Sequence, residues 1–206
     1  MIERHSDRES FPSSGDGLCH EWLRTRSKKM KKIYFTRHGQ TVWNVENKIC
    51  GITDIALTEK GHQQAERLGD IIKNGGYEID EILCSPLIRA HDTARHISEK
   101  TGIPLRVEPR LVEQCFGKFE GTARNGEEFL EAKRNFIDSY DGGETMMKLA
   151  QRIYNLLDEL KNDEKVYLLV AHNGISRVVK SYFCDMENAE YARFGIDNCE
   201  ILEFEF

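Results

Sequence analysis

The sequence predicts an α/β fold with mostly parallel strands. Two observations carry this. Short apolar runs alternate along the chain with stretches whose apolar residues recur at helical spacing. One run, Val166 to Ala171, is almost continuously apolar, as a central parallel strand covered on both faces must be. A length of 206 residues is enough for one substantial core, so one domain is the default. A net charge of -6 argues against a general nucleic-acid binder, which would carry a basic face. No apolar run approaches the length of a membrane span, and the charged start lacks the apolar region of a secretory signal. Neither nucleic acid nor membrane is expected as a partner. The six cysteines are scattered without C-x-x-C spacing, which reads as reduced thiols in a cytoplasmic protein and disfavours a zinc site.

Residues 1 to 29 differ from the rest. Ser10 to Gly17 is polar, turn-rich and aperiodic, so this segment reads as disordered or appended, with Met30 as the natural start. Its Arg4-His5 pair lacks a following glycine and a preceding strand and receives no role. The domain proper is placed at 30–206.

Ile33 to Phe35 forms the first strand and ends at Arg37-His38-Gly39. A loop follows over 40–57. Thr58 caps a helix carrying Ala65, Leu68, Ile71 and Ile72, which ends at Gly75-Gly76. Glu81 to Cys84 is a short strand. Ser85-Pro86 reads as an N-cap followed by proline at the first helical position, with Leu87, Ala90, Ala94 and Ile97 as the buried stripe. Leu105 to Val107 is a third strand, and residues 111 to 121 form an irregular aromatic loop. A helix is expected around 126–140. After Gly142-Gly143, the stripe Met146, Leu149, Ile153, Leu156 and Leu160 marks a long amphipathic helix. Val166 to Ala171 ends in His172-Asn173-Gly174 and runs into a helix with Ile175, Val178 and Val179. Glu200 to Phe206 alternates as an edge strand.

The chemistry concentrates at strand ends. Arg37 and His38 follow one strand, His172 follows another, and Arg89 lies in the first turn of a helix after a third. If these strands are parallel neighbours, two arginines and two histidines meet at one sheet edge. Fork donors, imidazoles and helix N-termini together make a phosphate pocket. Arginine charge beside His38 would keep its imidazole neutral and nucleophilic. The bland alternatives are a turn histidine at 38, a helix-cap neighbour at 172 and a surface arginine at 89. His62, His91 and His96 sit in helical segments and read as surface or packing residues. Met146-Met147 reads as core, and Cys50 and Cys115 as structural thiols that could border the pocket.

Six ordered motifs resemble the histidine phosphatase superfamily, also called phosphoglycerate mutase-like. They are Thr36 to Thr41 with Trp43-Asn44; Asp54 with Leu57-Thr58 and Gly61; Ser85-Pro86-Leu87 with Arg89-Ala90; Leu111 and Glu113 with Phe116-Gly117 and Glu120-Gly121; Gly142-Gly143-Glu144; and Ala171 to Gly174. The resemblance covers nearly all of 32–206. It implies a three-layer sandwich, with a mostly parallel sheet and helices on both faces. It implies His38 as the nucleophile that becomes a phosphohistidine, and Arg37, Arg89 and His172 as phosphoryl-binding groups assisted by Asn44. It also implies substrate contacts from Gly51 and Asn173, and Glu113 as general acid, with Glu120 as the competing carboxylate. The arginines would favour ionised Glu113, and an arriving phosphate dianion would oppose them. No metal or other cofactor is expected, because arginines supply the charge.

Within this resemblance, the glycolytic mutases follow the acid with an Arg-His pair that grips a second anion. Gln114-Cys115 stands here instead, and the segment from Gly121 to Gly142 is short. Too few cations to hold a diphosphorylated intermediate point to a metal-independent phosphatase acting on small phosphomonoesters. Mutase-type transfer, a non-catalytic phospho-ligand sensor and a metal-binding histidine protein are the alternatives. Phe116, Phe119, Phe129, Phe136 and Tyr140 are expected as an aromatic rim favouring an apolar or flat leaving group. The sequence leaves the oligomeric state open, with a homodimer as one option.

Overall fold

Successive residues along each strand point to alternate faces of the sheet, and each face has its own helices. The computed structural model describes residues 31–206. Five strands form one sheet: β1 (Lys32–Arg37), β2 (Glu81–Cys84), β3 (Leu105–Val107), β4 (Tyr167–Ala171) and β5 (Ile201–Glu205). Their spatial order is β3-β2-β4-β1-β5, parallel except for β5 at the edge. Every residue of β4 is buried, as its central position requires.

The helices are α1 (Val42–Val45), α2 (Glu59–Asn74), α3 (Ile88–Thr101), α4 (Glu127–Ala132), α5 (Met146–Asn162), α6 (Asn173–Phe183) and α7 (Asn188–Arg193). Phe35 and Leu169 point to the face covered by α5 and α6, where Leu149, Ile153, Leu157, Ile175 and Val179 bury against them. Tyr34, Leu168 and Val170 point to the other face, against Leu68 and Ile72 of α2 and Ala94 and Ile97 of α3. Burying one such Leu or Ile side chain stabilises the fold by roughly 1.5–3 kcal/mol. The period of two along the strands and the helical stripes of the sequence therefore meet in three layers.

Several elements differ from the sequence expectation. Ser85-Pro86 does not cap α3; Leu87 is its N-cap, and the Asp54 carboxylate accepts from the Ile88 amide at 2.8 Å instead. The Ser85 hydroxyl is occupied elsewhere, as described below. α4 stops at Ala132 and does not reach 140. Tyr140 and Asp141 take positive φ values of 57° and 56°, a conformation no helix continues through. The aromatic loop makes two 3-10 turns, and α1 and α7 occupy segments without a helical stripe. Met146 is buried, but Met147 is exposed. The expectations for residues 1–29 and for Met30, including Cys19 and Arg4-His5, lie outside the described residues.

One contact holds the turn after β1 against α2. A Cβ added at Gly61 would collide with the Gln40 carbonyl, and one at Gly39 with the Gly61 carbonyl. Thr58 caps α2 from the same side: its hydroxyl accepts from the Gly61 amide at 3.1 Å. We expect Gly61→Ala to cost about 1–3 kcal/mol through forced backbone displacement, read from urea denaturation midpoints at unchanged m-value. An unchanged midpoint would show that this approach has slack.

Candidate active site

β1 and β4 pair in a register that sets Arg37 opposite Ala171, so both strands end level. The His38 amide continues the ladder by donating to the Ala171 carbonyl at 3.0 Å. His172 then serves as backbone N-cap of α6. The two imidazoles converge, with ring centroids 5.2 Å apart. Arg89, the second residue of α3, is completely buried beside them. Of the sequence-predicted residues, Arg37, His38, Asn44, Glu113 and Asn173 line one cleft, while Arg89 and His172 lie buried behind it.

His38 is held for one role. Its Nδ1 lies 2.7 Å from the Gly39 carbonyl, which can only accept, so Nδ1 carries the proton and Nε2 keeps its lone pair. Burial holds its pKa well below the usual range, and Arg89 and then Arg37 add to this. Burial, rather than the arginine charge expected from the sequence, is the larger cause. His172 is lowered in the same way by burial, Arg89 and His38.

A second tautomer follows from Ser85. Its oxygen already accepts from the Leu87 amide at 3.3 Å, and it lies 2.7 Å from His172 Nε2. The hydroxyl can donate to Nε2 while it accepts from Leu87, and in that arrangement the proton of His172 sits on Nδ1. That Nδ1 has no partner. Among the described residues, the buried side-chain nitrogens and oxygens without a hydrogen bond are Arg37 Nε, Arg89 Nε and His172 Nδ1. All three belong to the predicted phosphate-binding set, and with the His172 proton on Nδ1 all three are donors. The outer nitrogens of the arginines are anchored: Arg89 donates to the carbonyls of Gly51 (2.7 Å) and Thr53 (2.9 Å), and Arg37 to that of Ile196 (2.9 Å). Burial and Arg124 lower the Arg37 pKa to about 10, which leaves it cationic at neutral pH.

The other predicted residues divide. Glu113 lines the cleft, accepting from the amides of Gln114 and Gly174, each at 2.9 Å. A Cβ at Gly174 would strike the carboxyl, so the glycine makes room for it. Glu120 instead ties down a loop, accepting from the amides of Ile52 and Thr53 at 2.8 Å. Asn44 uses its Oδ1 on the Thr41 amide in a capping box and lines the cleft. Asn173 Oδ1 accepts from the Ile196 amide. Gly51 contributes through its carbonyl to Arg89 and does not line the cleft.

Two expectations are corrected. The aromatic rim is a small core: Phe116, Phe119, Phe129 and Tyr140 pack on one another, and only Phe116 and Phe129 reach the cleft. Phe136 packs against the main core instead. The cation count was also too low, because Arg124, Lys133 and Arg177 line the cleft as well. Arg177 could have been found: it lies four residues after Asn173 on α6, on the same helix face. Arg124 and Lys133 lie in or beside irregular chain, where no periodicity gives a direction. His62 and His96 pack against each other between α2 and α3, Nδ1 to Nε2 at 2.9 Å, as packing residues should. Cys50 lines the cleft with its thiol pKa raised by burial. The described cysteines are all free thiols. No group of three or more His, Cys, Asp or Glu among the described residues is placed to hold a metal ion. No helix among them is long and apolar enough to cross a membrane.

Residues 33–206 match the family model of the histidine phosphatase superfamily (branch 1). The chain belongs to the histidine phosphatase superfamily. Among its relatives, a probable phosphoglycerate mutase GpmB from Escherichia fergusonii is 31% identical over 189 residues, covering 86% of each chain. Among solved structures, phosphoserine phosphatase from Entamoeba histolytica in complex with 3-phosphoglyceric acid superimposes with a TM-score of 0.74 at 30% identity. That match covers 86% of this chain and 91% of the other. A mycobacterial glucosyl-3-phosphoglycerate phosphatase gives 0.73 at 26% identity, covering 85% and 90%. Phosphatase or mutase-type phosphoryl chemistry is common to these histidine phosphatase relatives.

Two outcomes follow from this geometry. His38 and His172 are neutral in the fold but take up protons in the unfolded chain near pH 6.5. Their contribution is complete above that pH and is lost as pH falls below it. Stability should decline toward about 1.4 kcal/mol per pH unit for each ring. Urea denaturation at pH 7.0 and 5.5 measures the drop, and His172→Gln should remove roughly half of it. Separately, Ser85→Ala should release the tautomer of His172, seen as a change in its ¹⁵N ring shifts. Unaltered shifts would assign the tautomer to another cause.

Proposed function

We propose that the protein is a phosphatase hydrolysing small phosphomonoesters through a phosphohistidine on His38. The observation that carries this reading is the trio of unpartnered buried nitrogens, Arg37 Nε, Arg89 Nε and His172 Nδ1, on residues whose charge or ring lies close to the neutral His38 imidazole. A tetrahedral phosphoryl group offers three non-bridging oxygens that only accept. Fixed donors stabilise the charge on that group, the main source of catalysis in phosphoryl transfer.

The reaction runs in two steps. His38 Nε2 attacks phosphorus, the P–O bond to the leaving alcohol breaks, and Glu113 gives its proton to the departing oxygen. Water then attacks the phosphohistidine, Glu113 accepts a proton from that water, and Nε2 leaves with its electron pair. Glu113 is preferred over Glu120 because it lines the cleft, whereas Glu120 is consumed by loop amides. Phosphatase is preferred over mutase because Gln114, where the mutases carry a cation, donates into the protein to the Glu144 carbonyl at 2.9 Å. The cations Arg124, Lys133 and Arg177 favour mutase-type transfer as the second reading, since they could retain a diphosphorylated intermediate.

We expect His38→Ala to lower hydrolysis of p-nitrophenyl phosphate by at least about 10³-fold with the fold retained. Wild type should accumulate an acid-labile phosphoryl group on residue 38. Glu113→Gln should slow alkyl phosphates about 10²–10⁴-fold and p-nitrophenyl phosphate much less, because a good leaving group needs no proton. Activity in His38→Ala would overturn the mechanism. Interconversion of 2- and 3-phosphoglycerate outpacing phosphate release would favour the mutase reading.

A further inference from the structure

The loop between α7 and β5, residues 194–200, grips the cleft from behind. The residues that line the cleft come from other elements, yet this loop ties to several of them. The Phe194 carbonyl accepts from Arg177 Nε at 2.6 Å. Gly195 lets Asn173 pack close, since a Cβ there would lie 3.0 Å from its Oδ1. The Ile196 amide donates to Asn173 Oδ1 at 3.0 Å, and the Ile196 carbonyl accepts from Arg37 at 2.9 Å. The Cys199 amide donates to the Arg37 carbonyl at 3.0 Å, with Cys199 itself at a φ of 61°. A cysteine in the left-handed region persists only where its surroundings over-determine it.

Asn198 is the member of the loop that meets the backbone of His38. Its Nδ2 donates to the His38 carbonyl at 2.8 Å and to Asn44 Oδ1 at 3.3 Å. An NH₂ group has two hydrogens, so both bonds can be made together. The carbonyl can only accept, which settles which end of the Asn198 amide points at it. The other half of the same peptide unit is held too, because the Gly39 amide donates to Thr93 Oγ1 at 3.0 Å. The peptide after His38 is thus pinned by its oxygen from the 194–200 loop and by its nitrogen from α3. Pinning matters because glycine comes next, and glycine turns freely about its backbone dihedrals. The Gly39 carbonyl is the acceptor for His38 Nδ1, at 2.7 Å. Rotation of the peptide would move that carbonyl, and the imidazole would lose its fixed tautomer.

We propose that Asn198 is a positioning residue, which holds the His38–Gly39 peptide and through it the orientation and tautomer of the His38 ring. It acts on Asn44 as well. Thr41 and Asn198 both donate to Asn44 Oδ1, so the polar group Asn44 has left is its Nδ2 donor. As a role in the reaction this rests on the phosphatase reading; as a constraint on the ring it does not.

The test reads the ring and the reaction separately. In the ligand-free wild type, ¹⁵N ring shifts should show His38 as one tautomer, protonated at Nδ1. Asn198→Ala should mix the tautomers. Its kcat for p-nitrophenyl phosphate should fall about 10–10²-fold, the cost of misplacing a reacting group by about 1 Å. KM should change little, because a misaligned nucleophile is felt at the transition state. Asn198→Asp keeps the size of the side chain but sets an acceptor against two acceptors, so it should lose at least as much. That variant separates the loss of donors from the opening of a cavity, and thermal melting checks that both fold. Wild-type His38 shifts in both variants overturn the proposal, whatever the activity. Altered shifts with an unchanged kcat overturn the role of Asn198 in the reaction. Altered shifts in a protein whose wild type releases no phosphate keep the constraint on the ring and overturn the phosphatase reading.

Discussion

Arg37 stands opposite Ala171 across the β1–β4 ladder, and the cleft follows from that register. A slip of one residue would turn every side chain of β1 to the other face and move His38 away from His172. The register is strongly fixed. Phe35 and Leu169 must reach one helical layer, while Tyr34, Leu168 and Val170 must reach the other. The apolar core thus decides where two polar rings meet, although neither ring belongs to it. The α2 layer takes part as well: the Thr93 hydroxyl on α3 accepts from the Gly39 amide at 3.0 Å, and Gly61 presses on the same turn.

What gathers at that level works against stability. Arg89 is buried with its Nε unsatisfied, and Arg37 Nε and His172 Nδ1 share that condition. Each unsatisfied buried donor costs about 1–3 kcal/mol. The loop carbonyls of Gly51, Thr53 and Ile196 hold the guanidiniums in place, so the donors cannot rotate to find partners. A rigid unmet demand of this kind is a form of preorganisation: polar groups already desolvated and held in place leave less reorganisation for an anion that would bind there.

Much of this was legible in the sequence. The β4 run announced a doubly covered strand, and Arg37-His38-Gly39 and His172-Asn173-Gly174 marked strand ends because polar residues followed apolar runs abruptly. Thr58 read correctly as a cap because its side chain acts within one helical turn. Ser85 misled for the opposite reason. As a cap it had a local explanation, but its hydroxyl serves His172, 87 positions away. The aromatic residues of 116–140 misled because a miniature core and a pocket rim have the same composition, and only packing separates them. Arg124 and Lys133 were invisible because irregular backbone gives side chains no predictable direction.

Those two cations change the argument about chemistry, not only the list of residues. Gln114-Cys115 suggested a cleft poor in charge, where an intermediate would escape and water would finish the reaction. The cleft is instead rich in charge, so retention of an intermediate cannot be judged by counting arginines. What differs is placement. Arg124 and Lys133 come from chain beside α4, a helix of only six residues, whereas Arg37 and Arg89 are fixed by a strand and a long helix. On the proposed reading, the phosphoryl group would be held by the rigid part of the molecule, beside a segment with little regular structure. Groups placed by the sheet are set for the transition state, and groups placed by short irregular chain discriminate between leaving groups. If the proposed reading holds, this fold can keep its phosphoryl chemistry constant while residues 121–142 vary beside it.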